Sequence, residues 1–229
     1  MRAITLLVLS LAFAGSPLQA ATLNGSVSIK GRIEKVKLSK AKKFDPYGDL
    51  YQSKAGGAQP AELQQQLIVY VDGLKAGSPK DFKAHLGQKD KNFSASIVPV
   101  LGGGSVEISN EDTVRHHIRS NAKPWDFNLK PRPPGDTVVK KFEASNEAIG
   151  VAPVYCDIHS SMRAHVVVLQ NPYFQLLPET GGKFSLKGVP PGTYTITAWH
   201  PTLKAVPVRV TVKSGENKPV ELVMLGKQD

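Results

Sequence analysis

The sequence has a single cysteine, Cys156, and few of the features that mark helical or membrane-spanning proteins. One thiol cannot form an internal disulfide, so we expect it to be buried, paired between chains or bound to metal. No stretch shows a sustained helical period, and none after the N-terminal segment is long and apolar enough to span a bilayer. The 20 glycines and 17 prolines instead favour short strands joined by turns. We therefore predict an all-β protein.

The first twenty residues are organised like a secretory signal peptide. Arg2 supplies a positive charge, Ala3–Ala14 is apolar but too short to span a bilayer, and Ala20 ends a plausible cleavage site. We predict a signal peptide over residues 1–20 and a periplasmic mature chain that begins at Ala21. An uncleaved anchor is the alternative.

Positive charge exceeds negative charge, with 29 Lys and Arg against 19 Asp and Glu. The segment Lys30–Lys43 carries seven basic residues and one glutamate, and we interpret it as a solvated edge strand and loop rather than a docking site. The excess favours acidic partners or surfaces. Nucleic acid is not expected as a partner, because the chain is exported and shows no aromatic-plus-basic recognition motif.

Short apolar or alternating runs between turn signals predict a β-sandwich. The predicted strands are 24–36, 66–71, 97–100, 106–108, 113–119, 137–142, 151–155, 163–169, 182–186, 193–199, 206–212 and 220–225. Residues 45–62 are predicted to be a long loop, and the polar stretch 75–92 is assigned no strand. The last four strands span only about 45 residues, and so small a sheet needs partners from elsewhere in the chain. The two earliest strands suit that role.

Three potential metal ligands, Cys156, His159 and Met162, lie within seven residues, just before a predicted strand. Soft sulfur ligands together with imidazole select copper, and a second histidine would complete a trigonal site with a weak axial sulfur. Zinc is the alternative metal, but zinc sites rarely use a thioether. An inert buried cysteine and a Cys–His nucleophile are further alternatives, and the nucleophile lacks an evident orienting group.

Side-chain parity selects the second histidine from the pair His116 and His117. In a strand, Val114, His116 and Ile118 share one face, while His117 shares the other with its arginine neighbours. The apolar face should point inward, so we predict His116 as the ligand. A bulge would reverse this parity and select His117.

The stretch Cys156–Arg163 and the valines after it resemble the ligand loop and last strand of plastocyanin-like cupredoxins, with the short Cys-x-x-His-x-x-Met spacing of amicyanin. Residues around His116 resemble the upstream ligand region of the same family. The resemblance implies a Greek-key sandwich that binds one copper ion, Cu(I) or Cu(II), through His116, Cys156, His159 and Met162. It also implies that both histidines bind through the ring nitrogen nearer the backbone, and that the edge of His159 is the electron exit. His117 stands where the family often has asparagine.

The segment Gly182–Tyr194 resembles a second family, the carboxypeptidase regulatory-like (prealbumin-like) β-sandwich. Gly25–Ile33 and Leu67–Gly73 resemble the first strands of that family. Both resemblances are satisfied if a cupredoxin domain, residues 79–170, is inserted into a discontinuous prealbumin-like domain made of residues 21–78 and 171–229. A tandem order of two domains is the alternative.

These observations predict an exported mononuclear, type 1-like copper protein that is an electron carrier and not an enzyme. Its partners would be exported redox proteins, a dehydrogenase or a cytochrome, with acidic docking surfaces. Periplasmic copper binding, trafficking or buffering is the alternative. A third reading is a scaffold, or a carbohydrate-binding module that stacks sugars on Trp199, in which the copper domain is vestigial. No His-x-His pair supports a multicopper centre. We interpret His85 as solvated, His165 as an edge-strand residue and His200 as structural.

Overall fold

The computed structural model describes residues 20–33, 66–75, 81–144 and 149–227. The predicted signal peptide, apart from Ala20, and most of the basic segment Lys30–Lys43 lie outside these residues, as does the predicted loop 45–62. All regular structure in the described residues is β, which confirms the predicted fold class. The described part of the chain includes no helix that is long and apolar enough to cross a membrane.

Seventeen strands make up the regular structure of the described residues. In chain order they are β1 (Ala21–Lys30), β2 (Gln66–Asp72), β3 (Lys83–Lys89), β4 (Asn92–Phe93), β5 (Ile97–Leu101), β6 (Ser105–Asn110), β7 (His116–Ser120), β8 (Phe127–Arg132), β9 (Thr137–Lys141), β10 (Ile149–Cys156), β11 (Arg163–Leu169), β12 (Phe174–Pro178), β13 (Gly182–Val189), β14 (Gly192–Trp199), β15 (Lys204–Val206), β16 (Val208–Val212) and β17 (Val220–Leu225).

The strands form four sheets that pack in a stack. Sheet I has the order β13-β1-β17-β15, sheet II β12-β2-β14-β16, sheet III β5-β11-β10-β7-β8 and sheet IV β4-β3-β6-β9. Sheets I and II form one β-sandwich, which we call the terminal sandwich because both ends of the described chain contribute to it. Sheets III and IV form a second, Greek-key sandwich, the site-bearing sandwich, in which strands distant in sequence pair with each other.

Three apolar clusters lie between successive sheets of the stack. The first fills the terminal sandwich and includes Leu67, Phe184 and Leu222. Another cluster, at the opposite end of the stack, fills the site-bearing sandwich and includes Val100, Ile108 and Val166. The middle cluster joins the two sandwiches face to face. Its buried members are Ile68, Tyr70, Ile97, Leu101, Val167 and Leu169. Sheets II and III therefore make apolar contacts on both faces.

The terminal sandwich is assembled from strands at opposite ends of the sequence. Strand β1 pairs antiparallel with β13 and parallel with β17, and β2 lies between β12 and β14. The two early strands thus supply the partners that the undersized tail sheet was expected to need. The exact domain boundaries, 21–78 with 171–229 and 79–170, stay a prediction.

Several strand predictions were wrong or incomplete, for different physical reasons. Strands β3, β4, β8 and β12 were not predicted: β4 has only two residues, and lysines, prolines or other polar residues interrupt the apolar pattern of the other three. The predicted strand 113–119 begins only at His116, after a bend. The valine stripe over 206–212 is divided at Pro207, so that Val206 lies in sheet I and Val208–Val212 in sheet II.

The interpretation of His165 as an edge-strand residue was also wrong. Strand β11 is an interior strand between β5 and β10, and the His165 ring packs edge-on against Trp199, with 5.3 Å between ring centroids. Burial lowers the pKa of His165. His85 is 48% exposed and His200 only 5% exposed, in agreement with a solvated and a structural residue respectively.

Candidate metal centre

Two paired strands and one loop bring the predicted ligands together at one end of the site-bearing sandwich. His116 is the first residue of β7 and Cys156 is the last residue of β10, and these strands pair antiparallel, with Cys156 opposite Ile118. His159 and Met162 lie in the loop between β10 and β11. Within the loop, the Met162 N–H donates to the His159 carbonyl at 3.0 Å, and the Asp157 N–H donates to the His117 carbonyl at 2.9 Å. The loop is thus tied to itself and to β7.

Three ligand atoms form a compact triangle. The Cys156 Sγ lies 3.7 Å from the Nδ1 of His116 and 3.8 Å from the Nδ1 of His159, and the two nitrogens are 3.1 Å apart. Among the described residues, this is the one group of three or more His, Cys, Asp or Glu side chains arranged to hold a metal ion. Both histidines present the ring nitrogen nearer the backbone, as the resemblance implied.

The dimensions of the triangle fit a metal ion. In its plane, a point about 2.0 Å from each nitrogen lies about 2.2 Å from the sulfur, and first-row metal ions bind imidazole and thiolate at about such lengths. The donors also match the trigonal His₂Cys set. His116, Cys156 and His159 could therefore hold a metal ion without rearrangement of the strands.

Met162, the fourth predicted ligand, lies in the same apolar cluster as Cys156. It is 1% exposed, and Cys156 is 4% exposed. Ala164, Val154 and Ile118 belong to the same cluster, which excludes water from the inner side of the triangle. Axial ligation by the Met162 sulfur stays a prediction.

His116 and His117 point to opposite sides of sheet III. The His116 side chain is fully buried, whereas that of His117 is 20% exposed. The register of β7 against β8 does shift between His117 and Arg119, but the alternation of buried residues along β7 is unbroken. His117 instead lies 2.7 Å from the Asn128 Oδ1 and 3.5 Å from the Asp157 Oδ2. It is outside the triangle.

The carboxylate of Asp112, which the sequence did not indicate as a functional group, contacts the ring of His116. The Oδ2 of Asp112 lies 3.1 Å from the Nε2 of His116 and also accepts the Lys91 N–H at 2.7 Å. The Thr113 N–H donates to the other oxygen at 2.7 Å. A carboxylate that accepts from Nε2–H leaves the lone pair of Nδ1 free for a metal ion. The separation of four residues between Asp112 and His116 was the available signal, but it is ordinary in loops.

Burial and local hydrogen bonds shift the pKa values of this cluster. Desolvation lowers the pKa of His116 despite its contact with Asp112, and the neutral imidazole that results is the form that binds metal. Burial also raises the pKa of the Cys156 thiol, although backbone groups of His117 and His159 oppose this shift. For Asp112, burial acts to raise the pKa, but hydrogen bonds from Lys91, Thr113 and His116 outweigh it, and the pKa is lowered.

Comparisons with known proteins find one matching family and several similar solved structures. Residues 157–228 match the family described as ER membrane protein complex subunit 7, beta-sandwich domain. No curated protein matches the sequence. Among solved structures, the chain is similar to a purple cupredoxin from Nitrosopumilus maritimus, at 25% identity and a TM-score of 0.32, over 37% of this chain and 98% of that one.

Two further solved structures are similar to parts of this chain. Amicyanin from Paracoccus versutus is 18% identical, with a TM-score of 0.33, over 44% of this chain and 96% of that one. A copper-containing nitrite reductase from Thermus scotoductus SA-01 is 21% identical, with a TM-score of 0.34, over 42% of this chain but only 24% of that one. The comparison with solved structures thus finds the resemblance to cupredoxins, and the family comparison finds a β-sandwich domain in the C-terminal part of the chain.

Proposed function

We propose that this chain is an exported, mononuclear copper protein that carries single electrons between redox partners. The observation that carries the proposal is the triangle of Cys156 Sγ, His116 Nδ1 and His159 Nδ1, with edges of 3.7, 3.8 and 3.1 Å. A thiolate between two imidazoles, with a thioether nearby, is a donor set that selects copper. Copper bound there would supply a one-electron couple.

The chain contributes rigidity to this centre. Two of the ligands end paired strands, and the loop that carries the others is fixed by its own backbone hydrogen bonds. A buried, preorganised trigonal site resists rearrangement when the charge of the ion changes, so electron transfer needs little reorganisation. The apolar cluster on the inner side keeps water away from the Cys156 sulfur.

His159 is the best exit for the electron. Its side chain lies in a surface loop and is partly exposed, whereas His116 is completely buried. We assign to His159 the contact with a redox partner, and to Asp112 the orientation of His116. The proposal includes a periplasmic location and no catalytic activity of the chain's own. Its partners would be exported redox proteins, a dehydrogenase or a cytochrome.

The test is the visible and electron paramagnetic resonance spectrum of the mature chain after addition of cupric ion. We expect an intense thiolate-to-copper band that disappears in Cys156→Ser and in His116→Ala. His117→Ala is the matched control, since it removes the neighbouring imidazole that lies outside the triangle, and the band should persist. A colourless wild-type protein, or a band that survives Cys156→Ser, would refute the proposal.

A second measurement separates electron transfer from copper trafficking. An electron carrier should keep its ion through repeated cycles of reduction and oxidation in the presence of a copper(I) chelator. A trafficking or buffering protein should lose the ion to the chelator within the same cycles. Retention of the band over many cycles supports the electron carrier, and rapid loss would favour copper handling.

A further inference from the structure

The outer face of sheet IV carries polar side chains that the metal triangle does not use. Leu86 of β3 and Ile108 of β6 are buried inside the site-bearing sandwich. Because side chains alternate along a strand, their neighbours His85 and Ser109 point to the opposite, outer face. Glu111, just beyond the end of β6, contacts both of them there. An imidazole, a hydroxyl and a carboxylate are thus brought together on the outside of the sandwich.

The three polar groups converge on one point. The Nε2 of His85 lies 2.7 Å from the Ser109 Oγ and 3.1 Å from the Glu111 Oε1, and the Ser109 hydroxyl donates to the same Oε1 at 2.6 Å. A position about 2.1 Å from all three atoms, a normal metal–ligand distance, lies roughly 1.3 Å from their plane. Seen from that position, the three atoms are separated by angles of about 75–95°, which are the angles of a tetragonal rather than a tetrahedral ion.

Gly87 makes room for the carboxylate in this arrangement. It lies beside Ser109 in the parallel register of β3 and β6, and a Cβ atom at this position would lie 2.7 Å from the Glu111 Oε1. The Glu111 N–H donates to the Gln88 carbonyl at 2.9 Å, which fixes the backbone of the glutamate beside β3. Any side chain at position 87 would therefore push the carboxylate away from His85.

Negative charge is concentrated at the same place. Glu107 lies directly opposite His85 in the register of β3 and β6 and points to the same face, so that two carboxylates flank one imidazole. The lysines of this face, Lys83 and Lys141, lie in the next row of the sheet, where both are opposite Ser105. The charge beside His85 therefore suits a cation rather than an anion.

We propose that His85, Ser109 and Glu111 form a second metal site, on the outside of the site-bearing sandwich, that binds a cupric ion. The imidazole and the carboxylate would be its strong ligands and the hydroxyl a weak one. Nitrogen and oxygen donors at near-right angles are typical of cupric sites, and cupric ion binds such donors more tightly than the other divalent first-row ions do. The proposal goes beyond the electron-carrier function and does not depend on it, because the cluster shares no residue with the triangle.

The test is a titration of the full mature chain with cupric ion beyond one equivalent, followed by electron paramagnetic resonance. We expect a second signal, with coupling to one imidazole nitrogen and without an intense thiolate band. His85→Ala and Glu111→Gln should each weaken this second binding event at least about tenfold. His117→Ala is the matched control, because it removes another partly exposed imidazole that lies beside a carboxylate, and it should leave the second signal unchanged. Absence of a second signal, or a signal that survives both cluster substitutions, would overturn the proposal.

Gly87→Ala tests the geometry of the cluster without removal of a ligand. The added methyl group should displace the Glu111 carboxylate, so that the second binding event weakens about tenfold while the Cys156-dependent band is unchanged. Equal affinity of the wild type and Gly87→Ala for the second ion would show that the carboxylate does not bind it where the structure places it, and would refute the site.

A variant with both Cys156→Ser and His116→Ala separates this proposal from the proposed function. It should lose the thiolate band and keep the second signal. Loss of the second signal in this variant would mean that the signal belongs to the triangle, and the second site would be refuted. A wild-type chain that shows the second signal but no thiolate band would instead refute the proposed function and leave the second site standing.

Discussion

At the scale of single residues, parity along a strand carried most of the information that the sequence held about the metal centre. The alternation of apolar residues around His116 was enough to separate it from His117, because one face of β7 is buried and the other is not. The sequence could not indicate Asp112 as a supporting group. Its contact with His116 depends on a bend whose hydrogen bonds come from Lys91 on a distant loop.

Replacement of Asp112 tests whether it orients the buried imidazole. We expect Asp112→Ala to weaken copper affinity by about 10- to 100-fold, because the Nε2–H of His116 loses its acceptor and the ring is freer to rotate. Competition with a chromophoric copper(I) chelator measures this. Asp126→Ala, which removes an exposed partner of Lys123, is the control and should not change affinity. Equal affinity in both variants would contradict the role of Asp112.

Met162 offers a test of the fourth ligand that does not disturb packing. Met162→Leu preserves volume and should cost less than about 1.5 kcal/mol of unfolding free energy. Copper and the thiolate band should be retained, while the reduction potential rises because a weak sulfur donor to the cupric ion is lost. Voltammetry provides the measurement, and Met224→Leu, at a buried position in the terminal sandwich, is the control. A potential equal to that of the wild type would mean that Met162 is only a core residue.

At the scale of strands, the sequence predicted best where one face is apolar and the other polar. It also marked β2, since the run Leu67–Val71 is apolar at every position, which is typical of a strand buried on both faces. The structure divides this run: Leu67, Val69 and Val71 face sheet I, while Ile68 and Tyr70 face sheet III. What covers the second face could not be predicted, because the covering strands β5 and β11 belong to the other sandwich.

Truncation at Ile68 tests the contact between the sandwiches. Ile68 is completely buried in the middle cluster, so Ile68→Ala should cost about 2–4 kcal/mol through lost burial and a cavity between sheets II and III. Urea denaturation of the metal-free chain measures the change. Val139→Ala, at a position that is 58% exposed on an edge strand, should change stability by less than about 0.5 kcal/mol. Similar values for the two variants would show that the middle cluster contributes little.

At the scale of the whole molecule, four sheets in a stack place buried polar groups near the junction of the two sandwiches. His200 ends the strand β14 and accepts the Thr202 N–H at its Nδ1 at 3.2 Å, while its buried Nε2 has no hydrogen-bond partner among the described residues. Glu179 is the nearest acid, with its carboxylate 3.8 Å from Nε2, and the charge of His165 also acts on the ring. Nothing in the local sequence Trp199-His200-Pro201 indicated this degree of burial.

The burial of His200 should make the fold sensitive to acid. Desolvation, with a smaller effect of His165, lowers the pKa of His200 from the ordinary histidine value of 6.5 to about 4. Between these two pH values, the unfolded chain binds a proton at His200 that the folded chain does not bind. Folding stability is therefore lost as the pH falls from about 6.5 toward about 4. The corresponding loss is at most about 3 kcal/mol. Above pH 7, this group should have no effect on the pH dependence.

His200→Asn isolates this contribution, since the asparagine oxygen can still accept the Thr202 N–H. At pH 8 the variant should be less stable than the wild type, because packing is lost. The difference should shrink steadily between pH 6.5 and pH 4, since the variant has no imidazole to protonate there. Unfolding free energies of the metal-free chain in urea, measured across this range, give the comparison. Parallel pH profiles for the two proteins would show that His200 is protonated as easily in the folded chain as in the unfolded one, and that the acid sensitivity of the fold arises elsewhere.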